Sequence, residues 1–153
     1  MGVTKRGTAV LVAAAVMVIA TSGVVNAKPQ PNTREGAVLA FKALVTQFNN
    51  YHYSAAWHSL HAAQQAVVPR RVYVTCATND PVVMSDVEVL DSRRESFTIP
   101  GTKVTTPSVA LDVRATYASG DVRERTTKTF HEVYVDGAWR WTLTSPESYT
   151  TEC

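Results

Sequence analysis

The chain has 153 residues, 45% of them hydrophobic, which indicates one domain with enough apolar residues for one core. Its 15 Lys+Arg stand against 13 Asp+Glu, a formal net charge of +2. So small an excess gives no electrostatic reason to expect nucleic acid or an anionic membrane as a partner.

The N-terminus has the layout of a secretory signal peptide. Lys5 and Arg6 precede an uncharged apolar run at 9–20, and Val25-Asn26-Ala27 has the small-x-small form of a cleavage site. Residues 1–27 are therefore predicted to be a signal peptide, and the protein to be secreted or exported to the cell envelope. The apolar run is shorter than the ~20 residues of a typical spanning helix. An uncleaved membrane anchor is the alternative, and only then is a membrane expected as a partner.

Removing that leader changes the charge balance and the redox expectation. It takes away two basic and no acidic residues, so the rest of the chain has 13 of each sign and is formally neutral. Cys76 and Cys153 are the two cysteines, and in an exported chain an even count favours a disulfide between them. Two free thiols are the alternative.

The first half of the remaining chain reads as helices. Residues 28–32 form a short spacer, and Thr33 is predicted to cap a helix that ends at Asn49-Asn50, with apolar residues at helical spacing. A second helix is expected over 51–66, with Ser54 as its N-cap. Pro69 fits the first turn of a third helix that carries Cys76.

From Val82 onward the pattern has a period of two, which indicates strands. A turn is predicted at 91–94 and a short strand at 96–99. In the strand 109–117 the odd-numbered residues form an apolar face and the even-numbered ones a largely polar face, as in a half-buried antiparallel strand.

The return strand, 122–135, does not keep one apolar parity, so a β-bulge is predicted near Glu132. Asp136-Gly137 is a two-residue hairpin signal. After it, Trp139, Trp141 and Leu143 share one face and Arg140 lies on the other.

Three segments resemble the nuclear-transport-factor-2-like superfamily, also called the SnoaL-like or cystatin-like α+β cone. They are AVLAFKALVTQF (37–48), YSAAWHSL (53–60) and DGAWRWTL (136–143). The resemblance covers 33–153 and implies an α+β domain in which three N-terminal helices pack on a curved antiparallel sheet. The chain looks most like exported single-domain members from actinobacteria, which have one Cys in the third helix and another at the C-terminus.

That superfamily contains ketosteroid isomerases, dehydratases and cyclases, and also non-catalytic binding and assembly domains, so the fold alone does not choose a function. Its enzymes place acids, bases or Tyr inside the cone. In this chain the alternation sends Asp112, Arg114 and Arg140 outside. Tyr117 and His58 remain as weak catalytic candidates.

The aromatic and apolar residues of the helices and the sheet are the predicted lining of a ligand pocket. They are Trp57, Tyr73, Leu111, Val113, Tyr117, Trp139 and Trp141. His58 and His61 lie three apart on a predicted helix, but spacing supplies no third ligand, so neither a metal site nor a cofactor is predicted.

The favoured hypothesis is an exported non-catalytic domain that binds an apolar small molecule or a protein partner. The protein partner includes a second copy of the chain, paired through the sheet face. One alternative is an isomerase- or dehydratase-like enzyme with its site inside the cone. Another is a structural accessory domain of the cell envelope.

Overall fold

The computed structural model describes residues 29–149 and residue 153. The predicted signal peptide, 1–27, lies outside the described residues, as does Lys28 of the predicted spacer. Within the described part, helices come first and a four-stranded antiparallel sheet follows, which confirms the α+β class. No helix among these residues combines the length and the apolar character needed to cross a membrane.

The elements follow one another in a simple order. The helices are α1 Arg34–Asn49, α2 Tyr53–Ser59, α3 Ala62–Gln65 and α4 Arg70–Asn79. The strands are β1 Val83–Thr98, β2 Thr105–Ser119, β3 Val122–Val135 and β4 Ala138–Trp141, and a 3-10 turn follows at Pro146–Ser148. The strands pair in chain order, β1-β2-β3-β4, so each hairpin is formed by neighbours in the sequence.

Helix α1 matches its prediction at both ends. The Thr33 side chain accepts a hydrogen bond from the Gly36 N–H at 3.0 Å, which satisfies one of the free donors of the first turn. At the other end Asn49 docks the helix on the sheet: its amide donates to the Met84 carbonyl at 2.7 Å and accepts from the Met84 N–H at 2.9 Å. The helix therefore has a fixed position over the sheet.

The prediction of one helix over 51–66 is wrong, so the described residues form four helices rather than three. Leu60 has extended backbone angles and forms a parallel bridge with Trp141, and the His61 N–H donates to the Trp141 carbonyl at 3.0 Å. This strand-like contact breaks the helix. Ser54 is not the N-cap of α2 either; it lies inside the helix and accepts from the Arg70 guanidinium.

Strand β1 is continuous, and the predicted turn at 91–94 is wrong. Two register shifts against β2, between Ser85 and Glu88 and between Val89 and Asp91, interrupt the alternation of side chains. These bulges let the strand bend without ending, so a loss of the two-residue period in this segment marks curvature rather than a turn.

Strands β2 and β3 pair without any irregularity, from Val109 opposite Glu132 to Ser119 opposite Val122. The predicted bulge near Glu132 is therefore wrong. The apolar parity of β3 fails because Glu132 and Val133 point to opposite faces and both are buried. The predicted apolar face of β2 is confirmed, since Val109, Leu111, Val113 and Ala115 are all fully buried.

The core has two parts. The first joins α1, through Phe41 and Ala37, to the apolar face of β2. The second lies among the helices and β4 and consists of Leu44, Tyr53, Ala56, Leu60, Val68, Tyr73, Trp141 and Leu143. Cys76 of α4 and Cys153 are paired at disulfide distance, with their Cα atoms 5.0 Å apart, as predicted.

Gln64 is the polar group that ties the two halves of the fold together. It is fully buried, and its amide donates to the carbonyls of Pro100 and Leu143 at 3.0 and 2.9 Å while accepting from the Leu143 N–H at 2.7 Å. One side chain thus connects α3, the β1–β2 turn and the segment after β4.

Gln64→Ala is expected to lower the free energy of unfolding by about 3 kcal/mol or more, because it leaves three backbone groups unpaired at roughly 1–3 kcal/mol each. The matched variant is Gln65→Ala, next in the chain and half-buried, which loses its bond to the Trp57 carbonyl. We expect it to cost about 1 kcal/mol. Urea unfolding of both variants tests this, and equal losses would contradict the role given to Gln64.

Candidate functional site

A cavity of about 250 Å³ lies between the helices and the inner face of the sheet. Its wall is mainly aromatic: Phe48, Tyr53, Tyr73, Tyr117, Phe130, Trp141 and Tyr149. Asp80, Val82, Lys128 and Thr144 contribute more polar or more exposed positions. An apolar cavity with a few polar groups is the usual form of a small-molecule site.

Two tyrosine hydroxyls are the notable polar groups of this cavity. The hydroxyl oxygens of Tyr53 and Tyr117 are buried and have no hydrogen-bond partner among the residues that the structure describes. Burial raises the pKa of both phenols, so they are neutral hydrogen-bond donors at physiological pH. A ligand with an acceptor oxygen would satisfy either hydroxyl.

Lys128 also faces the cavity, because it pairs with Val113 on the inner face of the sheet. Its ammonium lies 4.3 Å from the centre of the Tyr117 ring, a cation–π distance. The sequence alone does not reveal this, since the β3 segment around Lys128 is polar throughout and reads as solvated.

The seven predicted pocket residues go to different places. Tyr73, Tyr117 and Trp141 line the large cavity. Leu111 and Val113 are fully buried in the core. Trp139 lines a second, smaller cavity, and Trp57 is half-buried with its indole N–H donating to the Val68 carbonyl at 2.9 Å.

The histidines of the predicted helical pair do not reach the large cavity. His58 is exposed, with its ring edge against Trp57. His61 accepts a hydrogen bond from the Ala63 N–H through Nδ1 at 3.1 Å, and burial, helped by Arg140, lowers its pKa. Among the described residues, no three metal-ligating side chains lie close enough together to hold a metal ion.

The second cavity, of about 120 Å³, lies between α1, the end of α2 and the β3–β4 hairpin. Its lining consists of Gln30, Ala40, Ala43, Leu44, Gln47, Ser59, Glu132, Trp139 and Trp141. Trp141 borders both cavities.

Glu132 is the functional candidate that the sequence pattern misses. The regular register puts it on the inner face opposite Val109, where it is only 2% exposed. Its Oε1 has no hydrogen-bond partner, and Oε1 of Gln47 on the same cavity has none either. Burial raises the pKa of Glu132 well above its ordinary value, because a charged carboxylate is poorly solvated there, and so favours the protonated carboxyl.

Asp112 and Arg114 lie on the outer face of the sheet, as the alternation predicted. Asp112 accepts from Arg93 at 2.6 Å and Arg114 donates to Glu88 at 2.7 Å, all on partly exposed side chains. Such pairs stabilise little individually. The charged groups of these two pairs thus satisfy one another.

Comparison with known proteins gives no assignment: no protein-family model matches the chain, and no curated protein matches it significantly. The residues of the two cavities are therefore the basis for any statement about function.

Glu132→Gln is expected to become increasingly more stable than the wild type as the pH rises. The folded carboxyl has a pKa above the unfolded value of 4.5, so the folded state binds more protons between those two values and wild-type stability falls with rising pH. The difference should grow by up to about 1.4 kcal/mol for each pH unit in that window. Thermal unfolding between pH 4 and 8 measures it.

The control of opposite sign is Glu35→Gln. Hydrogen bonds from the backbone and from Thr33 lower the pKa of Glu35, so its contribution to stability is present above the unfolded value and disappears in acid. A difference between Glu132→Gln and wild type that stays constant with pH would show that the buried carboxyl is not neutral.

Proposed function

We propose that this domain is an exported binding module that holds a small apolar molecule with an acceptor oxygen in the 250 Å³ cavity. One observation supports this most directly: Tyr53 and Tyr117 each have a buried hydroxyl without a partner, in a wall that is otherwise aromatic.

Leaving such a hydroxyl unsatisfied costs roughly 1–3 kcal/mol, and a ligand carbonyl or hydroxyl oxygen would remove that cost. The volume lies just below the ~300 Å³ at which typical ligand pockets begin, which favours a molecule of about one ring over a steroid-sized one. Lys128 near the Tyr117 ring adds a positive charge that would favour an oxygen-rich or anionic end of the ligand.

Binding without chemistry is favoured over catalysis at this cavity. The tyrosines are neutral and cannot act as bases, and Asp80, the carboxylate that lines the cavity, already accepts a hydrogen bond from Ser119. The isomerase- or dehydratase-like alternative needs an acid–base pair here. Glu132 has a suitable raised pKa but lines the other cavity.

We propose membership of the nuclear-transport-factor-2-like superfamily on the same basis. Helices that precede a curved antiparallel meander, and a cavity between the two layers, agree with that architecture. The broken second helix departs from the three helices expected of the resemblance.

A protein partner on the outer sheet face, including a second copy of the chain, is less favoured. The charged groups there pair with one another, as in Arg93–Asp112 and Arg114–Glu88, and pairing with another chain would have to desolvate them. The structural accessory role would require that residues 1–27 stay attached as an anchor.

Export makes a prediction of its own. The protein recovered from the culture medium or cell envelope is expected to begin at Lys28, and its intact mass is expected to be lighter by two hydrogen atoms than that of the dithiol because Cys76 and Cys153 are joined. Mass measurement before and after reduction tests both points. A full-length cell-bound chain would support the anchor instead, and a mass unchanged by reductant would refute the disulfide.

The binding proposal predicts discrimination between two probes of similar size. Acetophenone carries a carbonyl oxygen and ethylbenzene does not, so the wild type should bind acetophenone more tightly. Removing both hydroxyls in Tyr53→Phe/Tyr117→Phe should abolish that preference, a change of up to about tenfold for each neutral hydrogen bond lost. Titration followed by NMR measures both affinities.

The matched control is Tyr51→Phe, because Tyr51 is 60% exposed, lies two residues from Tyr53 and does not line the cavity. It should leave the preference unchanged. Equal affinity of the wild type for the two probes, or a preference that survives in the double variant, would rule out recognition through the tyrosine hydroxyls.

A further inference from the structure

The lining of the 120 Å³ cavity includes hydrogen-bond acceptors without a partner among the described residues, and none of the described lining side chains is a cationic donor. Oε1 of Gln47 and Oε1 of Glu132 are buried and accept no hydrogen bond from any described residue. Ser59 uses its hydroxyl proton on the Ala56 carbonyl at 2.9 Å, so it has only lone pairs left to offer. Among the described residues that line this cavity, none is a Lys, Arg or His.

The two tryptophans of the wall add no donors either. The indole N–H of Trp139 donates to the Pro31 carbonyl at 3.0 Å, and that of Trp141 donates to the Ala56 carbonyl at 2.7 Å. What the indoles offer to an occupant is therefore carbon and π surface, which attracts cations. Ala40, Ala43 and Leu44 complete an apolar wall.

We propose that this cavity is a binding site for the ammonium group of a small aliphatic primary amine. Three N–H donors of an ammonium match the unpaired acceptors of Glu132 and Gln47, and a short alkyl chain matches the apolar wall. A neutral alcohol has one donor and no charge, and a carboxylate would be repelled by the acceptors.

The charge balance of binding is simple. The ammonium enters with its positive charge, Glu132 releases its proton to solvent, and the resulting carboxylate pairs with the cation inside the cavity. A buried carboxylate is costly without such a partner, so burial favours the protonated carboxyl and the amine would favour its ionisation.

This site differs from the one in the proposed function, although Trp141 borders both. The cavity is lined in part by Gln30 and Ala43, which are exposed, so an occupant can enter from solvent without passing through the larger cavity. The two proposals can therefore fail independently.

The test is a titration of the protein with ethylammonium chloride, followed through the indole N–H signals in a ¹H–¹⁵N NMR spectrum. Trp139 and Trp141 line the cavity and should shift saturably, whereas Trp57 lies elsewhere and should not. Ethanol, the neutral analogue, should give no saturable shift. Glu132→Gln should weaken ethylammonium binding by at least about tenfold, as expected when a charge-assisted hydrogen bond is lost.

Two further variants complete the design. Gln47→Leu, at a half-buried position, should weaken binding several-fold and serves if Glu132→Gln alters the fold. Tyr117→Phe, in the other cavity, should leave ethylammonium binding unchanged. The proposal is overturned if the wild type shows no saturable shift below about 100 mM, if ethanol binds as tightly as ethylammonium, or if folded Glu132→Gln retains the wild-type affinity.

Discussion

The unbroken register between β2 and β3 is the constraint on which the rest of the structure depends. It places Glu132 opposite Val109 and Lys128 opposite Val113, all on the inner face. A slip of one residue would exchange every inner side chain of β3 for its neighbour and would put Val133 in the place of Glu132. Each cavity owes one polar group to this register: Lys128 in the larger and Glu132 in the smaller. Pairing with the apolar strand β2 thus fixes the positions of the Glu132 carboxyl and the Lys128 ammonium on β3.

An inward carboxyl without a partner lowers the stability of the domain, and the surrounding structure has to compensate. Gln64 does so in part by satisfying three backbone groups where the helices meet the sheet. The disulfide between Cys76 and Cys153 restricts the unfolded chain by closing a loop across a separation of 77 residues, worth about 4 kcal/mol in the chain-entropy model. A buried polar group without a partner, in a fold whose other buried polar groups are mostly hydrogen-bonded, is commonly found at a functional site.

What could be predicted from the sequence depended on short-range signals. The cap at Thr33 and the Asp136-Gly137 hairpin are encoded within a few residues, so their positions agree with the structure. The break at Leu60 could not be read, because it is imposed by pairing with Trp141, some eighty residues away. The burial of Glu132 was not predicted for a related reason. Val133 is buried on the opposite face of the strand, and the sequence pattern was interpreted as if only one face were buried, so the two adjacent positions suggested a bulge.

Trp141 connects these observations. Its carbonyl accepts from the His61 N–H, which breaks the second helix, and its indole N–H donates to the Ala56 carbonyl, which fixes the ring. On the side of the larger cavity the ring meets Phe48 edge-on at 5.4 Å, and on the other side it borders the cavity of Glu132. A ring held at both backbone and side chain cannot swing to merge the two cavities without losing those bonds. The helix break therefore does more than interrupt a helix: it anchors the backbone of the residue whose ring borders both the aromatic cavity and the cavity of Glu132.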